Sequence, residues 1–225
     1  MTRTLTRIGT AWVFAMLQMS AGSAWAQTES FAKPGAYVGF LASPGTTFKG
    51  GSFDGVHYLY DSDQLVLIPH LSSADGLGFV VGGRFETGAI ELTYVQADHP
   101  AAFAGASGVA RTRVVNLDGK RFFLPSTRVQ PYFTGGLAIP WLVVEEGAAS
   151  RTGGGDATFV GVGFNVGGGV AVYVHPRVAL SAGYSYRLVV FPRVKGAAGS
   201  FVDIDAKAQP VGRNGNMTAS VSFAF

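Results

Sequence analysis

Apolar residues recur at every second position in eight separate stretches of this chain. The plainest runs from Val160 to His175. Val160, Val162, Phe164, Val166, Val170, Val172 and Val174 share one parity, and Gly161, Gly163, Asn165, Gly167, Gly169, Ala171 and Tyr173 share the other. A period of two places alternate side chains on opposite faces of an extended strand. This stretch therefore predicts a strand with a valine face and a glycine-rich face. Residues 178–190 repeat the pattern, with Leu180, Tyr184, Tyr186 and Leu188 against Ser181, Ser185 and Arg187. The last ten residues repeat it again, with Met217, Val221, Phe223 and Phe225 against Asn216, Thr218, Ser220 and Ser222.

Five further strands are predicted upstream, at 35–41, 77–85, 89–96, approximately 110–123 and 128–143. In the second, Leu77, Phe79, Val81 and Phe85 are in phase; in the third, Ile90, Leu92 and Tyr94 oppose Glu91 and Thr93. The fourth is less regular, because Arg111 and Arg113 share parity with Val115 and Leu117. In the fifth, Pro140 lacks an amide donor, which predicts a bulge or an early end. The connections alternate in length. Those at 86–88, 124–127 and Pro176-Arg177 are short, whereas 42–76, 97–109, 144–158 and 191–215 are medium or long.

An even number of alternating strands, with short turns at one end and longer loops at the other, predicts an all-β fold. It is an eight-stranded antiparallel up-and-down transmembrane β-barrel, its loops facing outward and its short turns facing the periplasm. Strand-forming residues at 57–69 add alternatives in which the 42–76 segment extends the barrel wall beyond the membrane, forms a hairpin, tucks in as a lid or makes two more strands. Closure requires the strand near Ala36 to Phe40 to pair with the terminal one, since unpaired backbone groups in hydrocarbon each cost several kcal/mol.

Composition agrees with a surface that meets lipid: 48% of residues are apolar, only 14% are charged, and 32 are glycine. The first 26 residues have the three-part pattern of a cleaved signal peptide. Arg3 and Arg7 precede an apolar run, and Ala24 and Ala26 flank Trp25. The expected organisation is 1–26 signal peptide and 27–225 barrel domain. Removing two arginines from the 17 basic residues leaves 15 against 14 acidic ones, so the formal charge falls from +3 to +1. Such a balance excludes a basic nucleic-acid-binding face. With no cysteine there is neither disulfide nor thiolate chemistry.

An eight-stranded barrel is only wide enough inside for side chains. Arg84, Glu86, Glu91, Thr93 and Arg187 carry the polar phase and are expected to pair across the lumen, because an unpaired buried charge is costly. Enzymatic chemistry finds little support. His57, His70, His99 and His175 lack the spacing of a metal site. Ser72, Ser73, His70 and Asp75 supply the residue types of a hydrolase without a nucleophile elbow. The glycine runs at 153–155 and 167–169 are not phosphate loops, as no Lys-Ser/Thr follows either. The expectation is a protein without catalytic residues, metal or cofactor.

GAYVGF, LGFVVGGRF, AIELTYVQ, QPYFTGGLAIP, GFNVGGGVAVYVHPRVALSAGYSYR and the closing SFAF together resemble the OmpA-like outer-membrane β-barrel domains of Gram-negative bacteria. The resemblance covers residues 35–225. It implies an integral outer-membrane barrel exported by the signal peptide and inserted by the outer-membrane assembly machinery, which reads the terminal strand with Phe223 and Phe225. It also implies contact with outer-membrane lipids and lipopolysaccharide. No cell-wall-binding domain follows the barrel, so the role it suggests is envelope structure or surface interaction, with an extracellular ligand met through loops 42–76 and 191–215. A narrow porin-like channel and a lipid-A-modifying hydrolase are the alternatives within this shape. A periplasmic sandwich or ligand-binding barrel is the alternative outside it.

Overall fold

Eight long strands follow one another around a closed antiparallel barrel. The structure is a computed structural model describing residues 30–49, 55–58, 65–103, 106–145, 156–195, 201–205 and 209–225. The expected signal peptide lies outside these residues. The wall consists of β1 (Gly35–Lys49), β5 (Ala74–Arg84), β6 (Gly88–Phe103), β7 (Ala106–Phe122), β8 (Val129–Val144), β9 (Ala157–His175), β10 (Val178–Lys195) and β12 (Val211–Ala224). Each pairs with the next, and β12 closes onto β1. Four short strands decorate the loop end. These are β2 (Gly55–Tyr58) and β3 (Leu65–Ile68), a separate two-stranded hairpin; β4 (His70–Leu71), on β6; and β11 (Phe201–Asp203), on β10.

The register fixes the geometry of the cylinder. From Val178, paired residues lead through Phe223, Val38, Val81, Leu92, Leu117, Leu137 and Phe164 back to β10 at Leu188. The path returns ten residues above its start, a stagger that matches strands tilted by about 40° in an eight-stranded barrel. Every side chain on that path is apolar and faces outward, because alternation sends the other parity into the lumen.

Inward glycines make room for tyrosines on the adjacent strand. Tyr132 on β8 pairs with Gly169 on β9, where an added Cβ would lie 2.6 Å from the Tyr132 hydroxyl and 2.7 Å from the Gly183 Cα. Tyr37 lies likewise against its partner Gly82, whose added Cβ would sit 2.6 Å from the ring. The glycine face predicted for 160–175 is thus filled by rings from neighbouring strands. Gly169→Val should lower stability by about 1–3 kcal/mol through overpacking; a shift of the equilibrium unfolding midpoint checks it.

Several local expectations are corrected. β8 continues straight through Pro140 to Val144, and its pairing with β7 is unbroken. Only the ladder to β9 skips Ile139 and Pro140, resuming in the same register at Trp141 and Val160. One missing donor interrupts the pairing without shifting the register. The 97–109 connection is largely strand, since β6 reaches Phe103 and β7 begins at Ala106. The wall there rises well above the expected loop base. Likewise β1 runs on to Lys49 and β10 to Lys195, so the 42–76 and 191–215 segments each begin as wall. Within 42–76 the strand-forming residues make the β2–β3 hairpin, and the barrel keeps eight strands.

Candidate functional site

The inward parity builds three stacked tiers inside the barrel. At the loop end lies an apolar core in which Phe48, Phe159 and Phe191 are almost completely buried beside Ile68, Leu142 and Val194. Each buried ring contributes about 1.5–3 kcal/mol relative to exposure. Phe191 touches both others, at centroid distances of 6.3 Å to Phe48 and 6.3 Å to Phe159. His99 closes this tier from below. Its Nδ1 lies 2.8 Å from the Ser72 carbonyl oxygen and its Nε2 lies 3.1 Å from the Thr112 hydroxyl. Both ring nitrogens are therefore occupied, and His99 is a packed structural residue.

The middle tier is polar. Glu91 accepts from the Tyr37 hydroxyl at 2.5 Å, and its other oxygen lies 2.7 Å from Lys120 Nζ. Lys120 sits 4.5 Å above the Tyr132 ring. One layer higher, Asn116 donates to Thr93 at 2.8 Å, while its carbonyl oxygen accepts from Arg187 at 2.9 Å. Arg187 also donates to Asn214 at 2.5 Å, and Asn214 donates on to the Thr47 carbonyl oxygen at 2.7 Å. Asn216 takes hydrogen bonds from Ser43 and Thr46, the latter at 2.9 Å. A cavity of about 70 Å³ remains here, bordered by Asp118, Asn165 and Arg187. It has room for water beside these polar groups.

The tier at the short turns is built around Arg84. Its guanidinium donates to the Tyr173 hydroxyl at 2.5 Å and to Gln130 Oε1 at 2.6 Å. It also stacks 4.0 Å from the Phe122 ring centroid. Gln130 is held by the β7–β8 turn, donating to the carbonyls of Pro125 and Thr127. Residues 30–34 fold beneath this end. Phe31 N–H donates to the Pro125 carbonyl at 2.9 Å, Lys33 N–H donates to the Pro176 carbonyl at 3.1 Å, and Ala32 is fully buried. The lumen is thus stoppered by an apolar core at one end and by aromatic rings and the amino-terminal segment at the other.

Of the sequence-based candidates, Arg84, Glu91, Thr93 and Arg187 are all buried in the lumen, but in two different tiers. Glu86 is a correction. β5 ends at Arg84, so Glu86 lies in the exposed turn and its parity no longer points inward. Phe223 and Phe225 are exposed on the outer wall, and Phe225 N–H donates to the Ala36 carbonyl at 3.0 Å. Arg111, Arg113, Lys120 and Arg121 form a basic cluster in the sequence of β7, but alternation splits it: the three arginines face outward and Lys120 faces inward. Sequence reasoning passed over Tyr37, Asn116, Asp118, Gln130 and Asn214, and it gave Tyr173 and Asn216 an inward phase but no role. Most were readable from parity, as Asn116, Asp118 and Lys120 share one phase of β7; the outward arginines at 111 and 113 masked it.

The outer wall carries an uninterrupted band of exposed apolar side chains, including Phe40, Leu77, Phe79, Leu92, Leu137 and Val162. Above it on β6 and β7 the surface turns polar. Arg111 pairs with Asp98 at 2.7 Å, and Arg113 reaches Gln96 at 3.3 Å. Among the described residues no group of three or more histidine, aspartate or glutamate side chains is placed to hold a metal. His70 and Ser72 lie at the loop end, with the Ser72 carbonyl already engaged by His99.

Solved structures share this architecture. Neisserial surface protein A is 18% identical, with a TM-score of 0.53 over 84% of this chain and 97% of that one. The N-terminal β-barrel domain of OprF from Pseudomonas aeruginosa is 14% identical, with a TM-score of 0.47 over 86% of this chain and 100% of that one. The outer membrane protein OprG from the same organism is 13% identical, with a TM-score of 0.47 over 86% and 97%. No protein-family model and no curated protein sequence matches the chain.

Proposed function

We propose that the chain is an integral outer-membrane barrel of the OmpA-like type, exported by a cleaved signal peptide. Its role is structural or surface-interacting, and it has no catalytic activity. The observation that carries this reading is the closed path of outward apolar side chains from Val178 to Leu188. An apolar belt around a whole cylinder has no counterpart on a water-soluble surface, where patches beyond a few hundred Å² mark contact sites. Lipid satisfies it, and the closed ladder leaves no strand edge in hydrocarbon. Arg111 and Arg113 sit where the belt ends toward the loops, a height suited to the phosphates of lipopolysaccharide. Phe223 and Phe225 complete the terminal strand offered to the assembly machinery, and the loop-end strands β2–β3 and β11 present the surface for an extracellular ligand.

The stoppered lumen favours a sealed barrel over a narrow channel. The purified protein, reconstituted in planar bilayers, should give no steady unitary conductance. Reproducible single-channel steps would replace this reading by the porin-like one. Mass spectra of lipid A from cells with and without the protein should be identical. A lost acyl chain would replace the reading by the hydrolase alternative.

A further inference from the structure

Arg84 is a buried cation without a matching anion. It is only 5% exposed, and its two hydrogen-bonded partners, Tyr173 and Gln130, are neutral. Its Nε has no acceptor among the described residues. A cavity of about 30 Å³ adjoins it at the short-turn end. Four cations and one carboxylate line that cavity: Arg84, Lys33, Lys120 and Arg177 against Glu91. Glu91 is already committed, with Lys120 on both oxygens and Tyr37 on one of them. Lys33, Arg84 and Arg177 make no ion pair among the described residues. A buried charge this poorly compensated is strongly destabilising unless a counter-charge accompanies it.

We propose that the short-turn end of the lumen is a binding site for a small inorganic anion of halide size, seated between Arg84 and the cationic mouth formed by Lys33 and Arg177. The chemistry sets the class. Unpaired donors and excess positive charge select an anion, and about 30 Å³ admits one water-sized ion. The site needs no membrane around it, so it stands or falls separately from the proposed function.

The test is equilibrium unfolding of the detergent-folded full barrel in sodium chloride against sodium gluconate at equal ionic strength. A ligand bound only by the folded state raises the folding equilibrium constant about tenfold for each tenfold rise in concentration above its Kd. Chloride should therefore raise the unfolding midpoint and gluconate should not, and Arg84→Met should abolish the difference. Lys33→Gln with Arg177→Gln should weaken it without removing it. Where Arg84→Met does not fold, crystals of the unaltered protein grown in bromide provide the second measurement. A bromide peak within hydrogen-bond distance of the Arg84 guanidinium supports the site. Equal midpoints in the two salts, or bromide-grown crystals with no such peak, overturn it.

Discussion

Glu91→Ala should destabilise the barrel by about 3–5 kcal/mol, the cost of removing one partner from a buried ion pair. Three properties of the site put the effect at this size. The Glu91 carboxylate is nearly inaccessible, at 6% exposure. It meets both Lys120, at 2.7 Å, and the Tyr37 hydroxyl, at 2.5 Å. Lys120 has no comparable second anion, since Asp118 makes no ion pair with it and the Tyr132 ring offers only a face. Removing Glu91 thus strands a cation and a phenol donor together. The companion variant separates pairing from burial: Glu91→Leu with Lys120→Met should cost far less than Glu91→Ala, because apolar replacements of a buried pair are often neutral. Urea unfolding of the detergent-folded variants measures both. A loss under 1 kcal/mol for Glu91→Ala would mean that water, not Glu91, solvates Lys120.

The barrel was legible in the sequence because its physics is periodic. Two faces with opposite demands force alternation, and residues 160–174 display it with Gly168 as the one break in the apolar phase. The lumen was half legible. Arg84, Glu91, Thr93 and Arg187 could be assigned to the inward face by parity, but parity carries no height, so it could not separate the Arg84 tier from the Glu91 tier. Glu86 shows the limit from the other side. Its phase was right for a strand that had already ended at Arg84. Two features left no local trace. The loop-end core joins Phe48 of β1 to Phe159 and Phe191 of the paired strands β9 and β10. The amino-terminal stopper depends on backbone hydrogen bonds to Pro125 and Pro176, about 90 and 140 residues away along the chain, and these follow from closure rather than from any motif.

The same parity that hides charge in the lumen governs what the outer wall tolerates. Leu137 stands midway along the outward apolar run of β8 between Val129 and Val143. It is flanked at the same height by Leu117 and Phe164, and it is 62% exposed. Leu137→Arg removes no packing of consequence, so on a surface that met water it would change stability by no more than about 0.5 kcal/mol. At the middle of a bilayer the same change should cost about 2–4 kcal/mol. Gln96 also faces outward, on β6 above the apolar run and within reach of Arg113. Gln96→Arg should cost about 0–1 kcal/mol, the value near an interface. Equilibrium folding into lipid vesicles measures both variants on one scale. The contrast between the two positions carries the inference, because both face outward and gain the same charge while depth differs. Equal, small penalties would mean that the apolar belt does not sit in hydrocarbon, and the membrane reading would have to give way to a partner protein wrapped around the cylinder.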